Sequence, residues 1–290
     1  MISKLNNDHL TVEIKHAGAE LCSIKNNKGM EFLWQAEQVW PRHAPILFPI
    51  VGRLKSDGYT IDGKDYFLTQ HGFARDKTFE LVSNTANEIT FLLSADEETL
   101  SRFPFQFKLH ITYTLKENTL IVRYKVINKS KTIMPFSIGA HPGFCCPIRT
   151  DEKPEDYEMV FSENEMLETA LLQNGMFSGK KELINLNGKN IPLTKNTFDK
   201  DALVFENLKS KHVSLQSKKS GAFVKVSLDG FPYLGIWAKT AASFVCIEPW
   251  CGLADNDNAN GNLYEKKGIN LLAASQFFER SYTIEVYGGT

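Results

Sequence analysis

Apolar and polar residues alternate along most of this chain, in short runs with a period of two. The clearest case is Phe107-Lys-Leu-His-Ile-Thr-Tyr-Thr-Leu115, which resumes after Lys116-Glu-Asn-Thr as Leu120-Ile-Val-Arg-Tyr-Lys-Val-Ile127. Successive side chains of a strand point to opposite faces, so this spacing gives each strand one apolar face. Two such runs joined by a short polar turn predict an antiparallel hairpin. Comparable runs are Leu10–Ile14, Glu80–Ser83, Glu88–Leu93, Ile133–Ile138, His212–Gln216, Ala222–Leu228, Tyr233–Trp237, Ser243–Ile247 and Gln276–Val286. Asp57-Gly58, Asp62-Gly63, Asn187-Gly188, Asp229-Gly230 and Asn260-Gly261 punctuate them, and such pairs supply the positive φ angles of tight turns. Helical periodicity is confined to Asp96–Arg102, which stops before Phe103-Pro104. Many even strands with almost no helix imply an all-β fold, a large antiparallel sandwich or barrel.

A sandwich of this kind accommodates the full length, so residues 1–290 are read as one domain. No repeat or low-complexity tract divides it, and the charged stretch Arg149 to Glu155 reads as a surface loop. The 33 basic and 34 acidic side chains nearly cancel, leaving no electrostatic footprint for nucleic acid or an anionic membrane. No apolar run approaches the roughly 18 residues of a membrane span, and the first residues have no signal-peptide pattern. The five cysteines, Cys22, Cys145, Cys146, Cys246 and Cys251, are odd in number and irregularly spaced. That usage fits reduced thiols in a cytoplasm, and the adjacent Cys145-Cys146, without a CxxC partner, reads as two core or loop thiols.

Three segments carry polar residues where strand-like runs end: Gln70-His71-Gly72-Phe73-Ala74-Arg75, Gly139-Ala140-His141-Pro142-Gly143-Phe144 and Ile247-Glu248-Pro249-Trp250. Two imidazoles and a carboxylate suit a reaction in which one group gains a proton while another loses one. Gly72 beside His71 permits close approach of a ligand or of backbone, although a turn-capping histidine has the same signature. Pro142 holds His141 in extended backbone, which fits a strand-end imidazole in a site or in the core. Glu248 follows an apolar run, where a carboxylate is costly to bury without a partner, and burial would raise its pKa toward general-base strength.

Arg53 and Arg75 offer planar forks of donors to hydroxyls, carboxylates or phosphates, and equally to ordinary ion pairs. Asp201 opens the run Asp201-Ala-Leu-Val-Phe205, where it serves either vicinal hydroxyls or a turn. Trp34, Trp40, Trp237 and Trp250 are core or stacking residues, and His43 in Trp40-Pro-Arg-His-Ala-Pro45 lies in a loop or along a cleft. The sequence lacks a Walker loop, a Rossmann glycine fingerprint, a GxSxG elbow and tight metal-ligand spacing. A metal-dependent β-barrel enzyme would need His71, His141 and Glu248 to converge, and a glycosidase would use Asp201 and Glu248 while leaving the histidines without work.

Taken together and in order, Val51-Gly52-Arg53, His71-Gly-Phe-Ala-Arg75, Gly139-Ala-His-Pro-Gly-Phe144, Asp201 and Ile247-Glu-Pro-Trp250 resemble the aldose 1-epimerase, or galactose mutarotase-like, family, and its lactose-operon-associated branch in particular. The resemblance implies one large antiparallel β-sandwich with an open cleft, no metal or other cofactor, and a small-molecule sugar as partner, in a monomer or homodimer. Family members interconvert the α and β anomers of hexoses such as galactose and glucose. Carried over, Glu248 matches the general base at the C1 hydroxyl and a protonated His141 the general acid at the ring oxygen. His71 matches the second histidine, and Arg53 and Asp201 match hydroxyl-binding positions. His71-Gly-Phe-Ala-Arg75 is also similar to the hexose-6-phosphate branch, where arginines such as Arg53 and Arg75 would meet a phosphate. A non-catalytic carbohydrate-binding protein on the same scaffold would share these segments.

Overall fold

The computed structural model describes residues 1–184, 186–240 and 242–290. Its largest sheet has nine strands in the order Asn190–Pro192, Tyr157–Phe161, His212–Ser217, Phe223–Ser227, Phe277–Tyr287, Thr119–Asn128, Phe107–Lys116, Glu88–Ser94, Glu80–Asn84. Every neighbouring pair is antiparallel. The alternating runs around residue 117 form the expected hairpin, with Lys116 opposite Thr119 and Glu117 at φ 51°. Asp62 and Gly63 both adopt positive φ, 49° and 75°, and close the hairpin of Gly58–Ile61 and Lys64–Phe67. Among the described residues the one α-helix is Glu97–Arg102, opened by a reciprocal capping box between Asp96 and Thr99.

A second antiparallel sheet follows the order Leu203–Glu206, Tyr233–Trp237, Phe244–Cys251, Ile138–Ala140, Ile46–Leu47, with Gly143–Cys145 also paired to Phe244–Cys251. Strand alternation divides its side chains between two faces. Phe205, Leu234, Ile236, Val245 and Ile247 join the main apolar cluster with side chains of the nine-stranded sheet. Phe205 meets Phe161 across the two layers at 5.7 Å between ring centroids. Sheet on sheet is the sandwich that the patterning implies. Leu47, Val204, Cys246 and Trp250 leave the other face and belong to separate, smaller clusters. That outer face carries the cavity described below.

Two boundaries differ from the sequence reading. Ile133–Ile138 is not one strand: Met134–Phe136 pairs with Asn270–Leu272, and Ile138–Ala140 pairs in the second sheet. Glu248 is not at a strand end, because the strand runs through Pro249 to Cys251. Proline has no donor for the ladder. Pro249 is accommodated because the chain opposite it is interrupted, the strand Ile138–Ala140 ending there and Gly143–Cys145 resuming only after His141–Pro142.

Candidate active site

The break at His141–Pro142 releases His141 from the sheet directly beside the unbroken strand that carries Glu248. Their side chains approach to 3.3 Å, His141 Nε2 to Glu248 Oε2, and both are buried. A cavity of about 290 Å³ opens over them. It is lined by His71, His141 and Glu248, by Arg42, Arg75 and Asp201, and by the rings of Trp40, Trp237 and Trp250. Leu172, Gly175 and Phe177, from the hairpin of Glu168–Gln173 and Met176–Leu183, close one side.

Glycines make room for the aromatic wall. A Cβ on Gly235 would sit 2.5 Å from the Trp250 ring, and one on Gly139 would sit 2.7 Å from it. A Cβ on Gly143 would lie 2.8 Å from Trp40, which stacks on the His141 ring at 5.1 Å. Gly72 serves a different contact from the ligand approach considered above: at φ 71° it lies against the backbone of Phe48, where no side chain fits.

Burial controls the ionisation of the three central groups. Desolvation, and then the nearby positive charges of Arg75 and Arg42, hold the His141 imidazole down to about 3, against an opposing backbone hydrogen bond. Desolvation pushes Glu248 well above the ordinary carboxylate range, reinforced by Asp201 and opposed by Trp250. Burial thus favours the protonated carboxyl and the neutral imidazole, which opposes the cationic His141 that the family resemblance implies. His71 is also held low, first by desolvation and then by His141, Arg75 and Arg42. Its Nδ1 accepts the Gly52 N–H at 3.1 Å, and the His71 backbone N–H donates to the Gly52 carbonyl at 2.9 Å. An accepting Nδ1 leaves the proton on Nε2, so His71 is a neutral donor.

The polar atoms of this cavity are unusually poor in partners. Buried side-chain atoms without a hydrogen bond among the described residues are Arg75 Nε, Ser137 Oγ, His141 Nδ1, Asn190 Oδ1, Glu248 Oε2 and Trp250 Nε1. Arg75, His141, Glu248 and Trp250 all line the one cavity. Buried polar groups are nearly always satisfied, so a concentration of exceptions marks where a hydroxylated ligand would supply the missing bonds.

Of the residues singled out in the sequence, His71, Arg75, His141, Asp201 and Glu248 converge here. Asp201 adopts φ 86°, and among the described residues its carboxylate accepts only the N–H of Ala202, at 2.7 Å, which leaves capacity for a ligand. Arg53 does not line the cavity. Its fork is spent on Asp57, at 2.9 and 3.0 Å, and its stem lies behind the hairpin turn at Gly175. His43 also stays outside, while Trp40 and Arg42 from the same segment line the site. Arg42 donates to Asp76 at 2.8 Å, and nothing in its local sequence distinguishes it from a surface arginine. Cys145 and Cys146 do not reach the cavity; the Cys145 thiol donates to the Leu33 carbonyl at 3.2 Å.

A neighbouring cavity of about 380 Å³ lies past Phe177 and Ala254, under the loop of Asn256 to Asn262. Its buried Lys266 and Asp255 satisfy one another at 2.8 Å, and no histidine is among the described residues that line it. The paired imidazole and carboxyl lie in the smaller cavity.

The aldose 1-epimerase family model matches residues 1–268. A curated relative, the plasmid-encoded protein LacX of Lactococcus lactis subsp. lactis, is 35% identical over 99% of both chains. The galactose mutarotase related enzyme of Lactobacillus acidophilus superposes with a TM-score of 0.96 at 38% identity, over 100% of this chain and 98% of the other. A galactose mutarotase-like protein from Lactobacillus casei superposes with a TM-score of 0.93 at 30% identity, over 99% of this chain and 100% of its own.

Proposed function

The chain belongs to the aldose 1-epimerase family, and on that premise we propose that it interconverts the α and β anomers of an unphosphorylated hexose such as galactose or glucose. The observation that carries this reading is the 3.3 Å contact between His141 and Glu248 beneath a cavity rich in unsatisfied polar groups. Burial biases the labile proton that the two side chains share toward Glu248 and away from His141. Passing it to His141 gives a carboxylate to remove the C1 hydroxyl proton and an imidazolium to protonate the ring oxygen. The C1–O5 bond breaks, and the pair returns to the form that burial favours beside the open aldehyde. Rotation about C1–C2 presents the other face. Reclosure then takes a proton from O5 to His141 and delivers one from Glu248 to the carbonyl oxygen. The ionisation that burial favours is thus the one that matches the open-chain sugar.

His71, fixed as an Nε2–H donor, stabilises charge that develops on the sugar oxygens. Asp201 and the Trp250 indole N–H bind hydroxyls, and the tryptophan rings hold the sugar faces. None of these steps calls on a metal or other cofactor. Protein in the cytoplasm, as a monomer or homodimer, suits this role. Exchange NMR on freshly dissolved α-galactose and α-glucose tests the proposal. Accelerated interconversion supports it, whereas tight sugar binding without interconversion across a hexose panel would establish a binding protein instead.

A second reading, a hexose 6-phosphate substrate, is favoured by the two arginines, Arg42 and Arg75, that line the cavity. Asp76 lies 2.8 Å from Arg42 and 3.8 Å from Arg75 and offsets part of their charge, so the neutral sugar stands first. A markedly lower KM for the 6-phosphate than for the parent hexose would reverse that order.

A further inference from the structure

The strand Phe244–Cys251 places a third reactive group on the face that carries Glu248. Side chains two residues apart share a face, so the buried thiol of Cys246 lies beside the carboxyl. Donor atoms of His141, Cys246 and Glu248 all fall within 4.8 Å of one another. The proposed anomer chemistry uses the imidazole and the carboxyl and gives the thiol no role.

We propose that this triad is an inhibitory binding site for a thiophilic divalent cation, with Zn²⁺ as the best match. Imidazole nitrogen, thiolate sulfur and carboxylate oxygen are the three donor types that zinc takes from proteins. At ordinary zinc–ligand lengths, two tetrahedral ligands stand about 3.3–3.7 Å apart, so side-chain shifts of about 1 Å gather the three donors around one ion. His141 Nε2 and Glu248 Oε2 already stand 3.3 Å apart, the separation of two ligands on one tetrahedral ion, so the pair is nearly in place for capture. Both residues line the sugar cavity, which supplies the entry path and leaves a fourth coordination position open toward it.

Binding is balanced by proton loss. The thiol and the carboxyl are both biased by burial toward their protonated forms. An incoming dication replaces one proton from each, and both protons leave to solvent, so the buried cluster gains no net charge. The bound ion occupies the imidazole lone pair and the carboxylate together, which removes both proton-transfer groups. Mg²⁺ and Ca²⁺ demand a shell of oxygens that one carboxylate cannot supply, so they do not inhibit.

Co²⁺ is the probe for the full-length protein. One equivalent is expected to give thiolate-to-cobalt charge-transfer absorption and tetrahedral visible bands, both abolished by added Zn²⁺. Cys246→Ser is expected to lose the charge-transfer band and to raise the Zn²⁺ concentration for half-inhibition by about tenfold or more, while anomer interconversion in chelator persists. Cys246→Ala serves the same purpose if the serine variant fails to fold. Absence of the band in the parent protein, a band surviving in the variant, or an unchanged Zn²⁺ response in the variant overturns the site. The cobalt spectrum needs no turnover. A protein inactive on every sugar but showing the band refutes the epimerase reading alone, whereas an active one without the band refutes only the cation site.

Discussion

The proposed chemistry turns on a 3.3 Å contact between two buried groups, His141 and Glu248. Burial works on them in opposite senses, depressing the imidazole to about 3 and raising the carboxyl above its usual range. An imidazole with a depressed pKa takes on a second proton only as the pH falls toward that depressed value. The carboxyl, with its raised pKa, gives up its proton only as the pH climbs well past the ordinary carboxylate range. Accordingly, kcat/KM for anomer exchange does not fall as the pH is lowered from about 7 to about 5, a range in which unperturbed histidines would become charged. A loss of activity with a midpoint near pH 6.5 would show that one histidine titrates freely. Much of this site was legible residue by residue. Glycine or proline beside His71, His141 and Glu248 marked backbone that holds a side chain in a constrained place. The position of Arg53 was not legible, because its choice of Asp57 over a ligand is made by a turn geometry that its own segment does not encode. Arg42 was missed for the converse reason, since a loop arginine acquires its meaning only when the sheet brings His141 beneath it.

Among the elements, the strand Phe244–Cys251 does the most to build the site. Alternation sends Val245 and Ile247 into the core between the sheets, and Cys246, Glu248 and Trp250 to the outer face. Trp250 can lie flat on the sheet only because Gly139 and Gly235 flank it. Gly235→Ala forces a methyl against the indole and is expected to destabilise the protein by about 1–3 kcal/mol, with a raised KM as the ring moves into the cavity. Unchanged denaturant midpoint and KM would show that the indole has room to slide. The long hairpins were readable in the sequence because their partners are local and their turns carry explicit signals. The run Ile133–Ile138 was not, because its two halves pair with strands more than a hundred residues later, Asn270–Leu272 and Phe244–Cys251. A continuous apolar run records burial but not a change of sheet.

At the scale of the whole molecule, one apolar cluster reaches from Leu5 to Val286 and joins both sheets. The face that carries the cavity is therefore backed by the same core that holds the nine-stranded sheet together. Unfolding is expected as a single transition in urea, with tryptophan fluorescence, which reports the outer-face cavity, coinciding with far-ultraviolet circular dichroism, which reports all the strands. A fluorescence transition well ahead of the other would mean that the site opens separately from the sandwich. The fold class was plain from period-two patterning and scarce helix. The pairing order of the nine strands was not, since it depends on contacts between distant segments rather than on local pattern.

The claim on which the rest depends is that Glu248 moves a proton during anomer exchange. The direct measurement is saturation-transfer NMR of the α and β signals of galactose and glucose with the parent protein and with Glu248→Gln, both confirmed as folded by circular dichroism. The account predicts catalysed exchange with the parent protein and a rate lower by about 10²–10⁴-fold with the variant, the range that a proton-transfer group supplies. A Glu248→Gln protein that exchanges the anomers as fast as the parent would contradict it.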